Sequence, residues 1–190
     1  MKLLEERILR DGKIGAGNVL KVDGFRNHQI DVPFVAELGK EFYRLYRDEG
    51  VTKILTIEAS GIGIACLAAL SFGVPVVFAK KTPTNNISGD VYTAEVYSYT
   101  HETTYTIRLS KDFLTPDDRV LIIDDFLAKG SALLSLLKLV YDAGAAVVGA
   151  GIVIEKAYQP GGELIRSMGI RVESLARIAS MEESGITFAD

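Results

Sequence analysis

The residues best placed to do chemistry lie in one stretch, VLIIDDFLAKGSAL, residues 120–133. Four apolar residues lead into the adjacent acids Asp124 and Asp125, and a Gly-containing turn then opens a helix-like run. An acid pair there sits at the carboxyl end of a buried strand, and the pleat sends neighbouring side chains to opposite sides. The two carboxylates therefore need not meet as a like-charged pair. Carboxylates accept hydrogen bonds from vicinal hydroxyls and attract metal or carbocation charge. The following turn, Ala128, Lys129, Gly130, Ser131 and Ala132, is built from small residues that let a backbone approach a phosphate. The helix behind it offers free N–H donors and a positive dipole end. Ser131 is a candidate hydroxyl donor or N-cap.

Other loops carry weaker signals. EASGIG, residues 58–63, is a second small-residue turn between strand and helix and a candidate anion nest. Lys80 and Lys81 stand at the base of a polar stretch, KKTPTNNISGD, that reads as a mobile loop over residues 80–90. Lys156 follows a nearly unbroken apolar strand, where its ammonium is able to donate to a carbonyl oxygen of a ligand. His28 and His101 stand apart, and no cluster has metal-ligand spacing. Walker, G-x-G-x-x-G and G-x-S-x-G patterns are missing at the positions that would give them meaning.

The elements that must position these loops follow from periodicity. LLEERILRDG reads as a short amphipathic helix, NVLKV as a short strand, and Asp31-Val32-Pro33 as the start of a helix running to Gly50. KILTI, VPVVFA, RVLIID, AAVVGAGIVIE and RVESLARI read as strands. IGIACLAALSFG, SALLSLLKLVYDAG and GGELIRSMG read as helices between them. VYTAEVYSYTHETTYTIRLS, rich in Tyr, Thr and Val, reads as an antiparallel hairpin turning at HET. Alternating strands and helices predict an α/β fold with a mainly parallel central sheet flanked by helices, its ligands outside the strands' carboxyl ends.

Composition narrows the class. The chain has 190 residues, 48% of them apolar and 24% charged, enough for one self-sufficient core. Its net charge of -4 argues against a nucleic-acid partner, so an anionic ligand must be held by local devices. One cysteine, Cys66, suits a reducing cytoplasm, and no apolar run reads as a signal or a membrane span.

These motifs resemble the type I phosphoribosyltransferases. The apolar run, the acid pair and the small-residue turn look like that family's sugar-diphosphate motif. EASGIG looks like its pyrophosphate loop, and residues 80–90 with the hairpin resemble its lid. VLKVDGFRNHQID, VPVVFAKK, VYSYT, VLIIDDFLAKG, GIVIEKAYQPG and RVESLARI resemble the bacterial xanthine phosphoribosyltransferases, over essentially the whole chain.

The resemblance implies a single domain over residues 1–190, with residues 1–32 and about 155–190 forming a small hood over the base. It implies transfer of phosphoribose from 5-phospho-α-D-ribose 1-diphosphate to xanthine in cytoplasmic purine salvage. Mg²⁺ would be carried mainly by the diphosphate, with no protein metal site. Asp124 and Asp125 would be catalytic, the turn at 128–132 would hold the sugar diphosphate's 5′-phosphate, and Leu20, Asn27 and Lys156 would hold xanthine. Phe126 is a candidate for stacking on the base. A homodimer is implied, with the tyrosine-rich hairpin as a candidate contact. The family usually has Thr or Ser before the motif glycine, and this chain has Lys129 there and Ala132 at another hydroxyl position.

Competing readings are a regulator of the same fold that senses the sugar diphosphate, a guanine- or hypoxanthine-preferring transferase, and a receiver domain. The acidic balance argues against the regulator, and the late position of the acid pair argues against the receiver. Asn27→Asp sets an acceptor against the 2-oxo group of xanthine, and a mismatched buried polar group costs about 1–3 kcal/mol. Competition assays with the four purine bases are expected to show xanthine use falling selectively. An unchanged xanthine preference would remove Asn27 from the base site.

Overall fold

The computed structural model describes residues 1–15, 19–22, 29–81, 89–98, 102–182 and 185–189. Asn27, His28, His101 and most of the 80–90 loop lie outside the described residues.

A six-stranded sheet organises the chain. Its strands are β3 (Lys53–Ile57), β4 (Val76–Ala79), β7 (Arg119–Leu127), β8 (Ala146–Lys156), β9 (Val172–Glu182) and β10 (Gly185–Phe188). The spatial order is β10-β9-β8-β7-β3-β4, all parallel except the β9–β10 edge pair. β5 (Val91–Ser98) and β6 (Thr103–Ser110) form the expected antiparallel hairpin. The polar 3-residue β1 (Lys13–Gly15), which pairs with β2 (Val19–Lys21), and β10 carry too little hydrophobic alternation to read from sequence.

Both faces of the sheet are covered. α1 (Lys2–Asp11), α2 (Val32–Tyr46) and α3 (Ser60–Phe72) build one apolar cluster, and α4 (Ser131–Asp142) and α5 (Gly161–Ser167) build the other together with the hairpin. α2 starts where the sequence indicates, because Asp31 accepts from the Phe34 N–H at 3.2 Å and Pro33 lies in the first turn. Its buried stripe, Phe34, Val35, Leu38, Phe42 and Tyr46, follows the helical period.

Missing side chains let α2 sit close. A Cβ on Gly39 would come 2.9 Å from the backbone of Ala68 in α3. Cβ atoms on Gly149 and Gly151 of β8 would come 2.8 Å from the rings of Tyr46 and Phe42. The small residues of AAVVGAGIV are therefore seats for two buried aromatics.

From β3 the chain proceeds outward to β4, and later returns to lay β7 on the other side of β3. The strand order thus reverses between β3 and β7. The crevice at their carboxyl ends is where sheets of this kind bind ligands. Among the described residues no helix is long and apolar enough to cross a membrane.

Beside that crevice lies a buried ion pair. Glu155, at the carboxyl end of β8, is 2% exposed and pairs in bidentate fashion with Arg166 of α5 at 2.7 and 2.7 Å. The Ser174 hydroxyl donates to the same carboxylate. Burial works to raise the pKa of Glu155, but Arg166 and Ser174 outweigh it and hold it below the ordinary glutamate value. A depressed carboxylate pKa stabilises the fold above the unfolded-state value of about 4.3, and that contribution is lost as the pH falls toward the folded-state value. Urea unfolding of the native chain and Glu155→Gln is therefore expected to show a gap at pH 7 that narrows below about pH 4. A gap independent of pH would contradict this account.

Candidate active site

β7 carries the acid pair, but it does not end there. It stays paired with β8 past the aspartates, with Phe126 opposite Ile154 and Leu127 opposite Glu155. The turn therefore shrinks to residues 128–130. Asp124 is buried, 4% exposed, and Asp125 is half-buried. Each is tied to its own strand: Asp124 Oδ1 accepts from the Asp125 N–H at 2.9 Å, and Asp125 Oδ1 accepts from the Phe126 N–H at 2.8 Å. These local bonds set the carboxylates before any ligand arrives.

Gly130 adopts a left-handed conformation, φ +89°, and is the N-cap of α4. Ser131 is the first helical residue rather than the cap, and its carbonyl accepts from the Ser135 hydroxyl at 2.9 Å. The first-turn N–H groups of α4 face back over the 128–130 loop, the arrangement that attracts a phosphate. Lys129 is exposed.

Facing β7 across the crevice, β3 leads into Glu58 and Ala59, and their peptide bond is cis. The Glu58 N–H donates to the Ala79 carbonyl at 3.1 Å, and the Glu58 carboxylate accepts from the Lys81 N–H. Lys80 exchanges backbone bonds of 2.9 Å in both directions with Arg108 of β6. Lys81 Nζ lies 5.4 Å above the ring of Tyr105. The base of the 80–90 loop is thus tied at once to the 58–59 turn and to the hairpin. Burial pushes the Tyr105 phenol above its ordinary pKa, and the negative charge of Asp124 adds to the effect.

Lys156 stands at the end of β8, the strand beside β7. It is partly buried, and burial lowers its pKa. Its neighbour Glu155 is committed to Arg166 and Ser174, with Arg177 at 3.6 Å. Leu20 is buried in the apolar cluster of Val22, Phe34 and Leu38, against which Phe126 also packs. The fold therefore gathers Asp124, Asp125, residues 128–132 and Lys156 at adjoining strand ends, and sets Leu20 and Phe126 in one cluster.

Two features escaped sequence reading. Thr56, inside the apolar run KILTI, is fully buried, and its Oγ1 has no hydrogen-bond partner. A Cβ on Gly61 would come 2.1 Å from that oxygen and 3.5 Å from Asp124 Oδ1. EASGIG, expected as one turn, is already helical from Ser60, and Gly61 in the first turn of α3 is the contact through which it closes on Asp124. The second feature, Gly161 and Gly162 beneath the 128–130 loop, is taken up below.

This geometry has known counterparts. The chain belongs to the phosphoribosyl transferase domain family, whose description matches residues 28–171. It is 58% identical over 190 residues to a xanthine phosphoribosyltransferase of Lachnoclostridium phytofermentans, covering 99% of this chain and 98% of that protein. It is 53% identical to a xanthine phosphoribosyltransferase of Ruminiclostridium cellulolyticum, with full coverage of both. Among solved structures, adenine phosphoribosyltransferase of Trypanosoma brucei superposes with a TM-score of 0.76 at 20% identity, covering 92% of this chain and 79% of that one. That likeness establishes the shared fold.

The contact at Gly61 gives a test. Gly61→Ala forces a methyl against the buried Thr56 hydroxyl, and overpacking of this kind costs about 1–3 kcal/mol. Thr56→Ala in the same chain is expected to recover most of that loss in thermal unfolding. If the double variant is no more stable than Gly61→Ala alone, Thr56 is not what Gly61 accommodates.

Proposed function

We propose that the chain transfers the phosphoribosyl group of 5-phospho-α-D-ribose 1-diphosphate to xanthine, giving xanthosine 5′-monophosphate and pyrophosphate. The observation that carries this reading is the acid pair at the strand-order reversal, Asp124 buried and Asp125 half-buried, with a three-residue loop opening a helix just beyond the strand end. A wall of negative charge then stands beside a nest for anions.

In this reading the ribose lies across the crevice with its 5′-phosphate on the N–H groups of residues 128–132. Its hydroxyls donate to Asp124 and Asp125. As the C1–O bond breaks, positive charge grows on the sugar ring, and the two preset carboxylates face it. The nitrogen nucleophile of the base forms the new bond to C1, and pyrophosphate leaves toward the 58–63 turn and Lys81. Lys156 donates to the 6-oxo group, Asn27 presents its NH₂ to the 2-oxo group, and Leu20 and Phe126 supply apolar contact. Residues 1–32 and about 155–190 serve as the hood over the base, a reading supported by the packing of Leu4 and Ile8 with Leu175 in one cluster.

The donor set fits Mg²⁺ arriving on the substrate. Mg²⁺ keeps several waters and binds through one or two carboxylates and substrate phosphates, and Asp124 and Asp125 are the carboxylates at this strand end. Carried on the substrate, the ion would supply charge neutralisation of the diphosphate leaving group.

A second copy of the chain is our reading for the exposed sheet edge. β4 is an edge strand, and exposed Phe78 and Phe113 line an apolar groove beside it, a surface that a monomer would leave wet. We place the reaction in the cytoplasm, which suits a chain whose one cysteine is a free thiol.

Purified protein given Mg²⁺, the sugar diphosphate and each of xanthine, guanine, hypoxanthine and adenine is expected to release pyrophosphate fastest with xanthine. Asp125→Asn is expected to lower kcat by about 10²-fold or more with the chain still folded. No pyrophosphate release with any base would overturn the reading, and a clear preference for guanine would overturn its base assignment.

A further inference from the structure

We propose that Gly161 is a positioning residue for the phosphate-holding loop, and that the Glu155–Arg166 ion pair is the anchor that keeps it there. The proposal rests on the reading above only in assigning residues 128–132 to the sugar diphosphate.

The two glycines of AYQPGG face different neighbours. A Cβ on Gly161 would come 2.4 Å from the carbonyl oxygen of Ala128, 2.7 Å from the nitrogen of Gly130 and 2.8 Å from the carbonyl carbon of Lys129. All three are backbone atoms of the loop. The Gly161 N–H donates to that same Ala128 carbonyl at 3.0 Å. From the other side, a Cβ on Gly130 would come 3.3 Å from the Cα of Gly161. Loop and helix therefore meet backbone to backbone, glycine against glycine.

Gly162 faces the anchor. A Cβ there would come 2.0 Å from Glu155 Oε1 and 2.7 Å from Arg166 Nη1. The bidentate pair thus occupies the space a side chain would need, and it fixes α5 to the end of β8. Arg166 also donates to the Val172 carbonyl at 3.3 Å, which extends the anchor to β9. The anchor is continuous with the loop through two adjacent residues, and Lys156 follows Glu155 directly in the chain.

This arrangement explains how a loop of small residues keeps one shape. Residues 128–130 have few side-chain atoms to pack, so their position must come from what the backbone touches. Gly161 supplies that contact and one hydrogen bond. A shift of about 1 Å in groups that orient a substrate is able to cost a large factor in rate or binding.

The test compares Gly161→Ala, Arg166→Gln and Arg166→Lys with the native full-length chain. Steady-state kinetics gives KM for each substrate, and hydrogen exchange of the protein without substrate follows the peptide covering 127–133 against one in α2. Gly161→Ala is expected to raise KM for the sugar diphosphate about tenfold, with KM for xanthine changed less than twofold. Exchange in 127–133 is expected to quicken while α2 stays protected. Arg166→Gln, which leaves the loop contact untouched chemically, is expected to reproduce the pattern more weakly, with Arg166→Lys recovering part of it. This second variant decides the matter if Gly161→Ala does not fold.

Unchanged KM and unchanged loop exchange would overturn the proposal, as would exchange quickened uniformly through the chain. Quickened loop exchange in a chain whose native form turns over no sugar diphosphate would support the positioning role and overturn the substrate reading instead.

Discussion

The structure depends on how far β7 stays paired with β8. Parallel pairing continues past the two aspartates to Leu127 opposite Glu155, and it decides where every site element lies. A register one residue different would turn each side chain to the other face of the sheet. Asp124 would then leave its buried place beside Gly61, and the strand end would deliver the 128–130 loop away from Gly161. The pairing is secured by burial on both faces, since Leu121, Ile122 and Ile123 of β7 and Ile152, Val153 and Ile154 of β8 are all within the core. The charged end of β7 is thus held by its apolar length.

A second constraint is close approach. Gly39, Gly61, Gly149, Gly151, Gly161 and Gly162 each occupy a place where a Cβ would collide with atoms that have little room to move. Gly149 and Gly151 admit Tyr46 and Phe42, which lock α2 to the sheet. Gly61, Gly161 and Gly162 bring turns and α5 up to the acid pair, the loop and the ion pair. The same device therefore serves stability where α2 packs on α3 and the sheet, and site geometry at the strand ends. At Gly161 its effect is to replace side-chain packing with a backbone contact that tolerates almost no displacement.

Much of this was legible in the sequence. The strand–helix alternation, the Asp31-Val32-Pro33 helix start, the hairpin and the placing of Asp124, Asp125, the 128–132 turn and Lys156 at the carboxyl ends of strands all follow from periodicity and turn chemistry, whereas the pairing that makes those two strands neighbours does not. What escaped was non-local. Glu155 reads as a polar residue beside Lys156, and only the fold reveals Arg166, eleven residues later, closing on it. Thr56 reads as one more residue of an apolar strand, because nothing nearby in sequence shows that its hydroxyl meets Gly61. Ser131 looked like the N-cap because its type favours that position. Gly130 took the role because the turn needs a positive φ there, and only glycine adopts it without strain.

Lys129 stands where the superfamily motif that the sequence resembles leads one to expect Thr or Ser, and the structure limits what that departure can change. Phosphate recognition by a loop of this kind uses backbone N–H groups, which any residue other than proline supplies. The conformation of the loop is set by Gly130 on one side and by the contact with Gly161 on the other, and neither involves the side chain at 129. That side chain is exposed, so it is not wedged into the packing beneath the loop. A hydroxyl at this position would add one donor to a nest already lined with them. An ammonium adds charge at the rim instead. The shape of the loop is therefore left to Gly130 and Gly161, whatever side chain stands at 129.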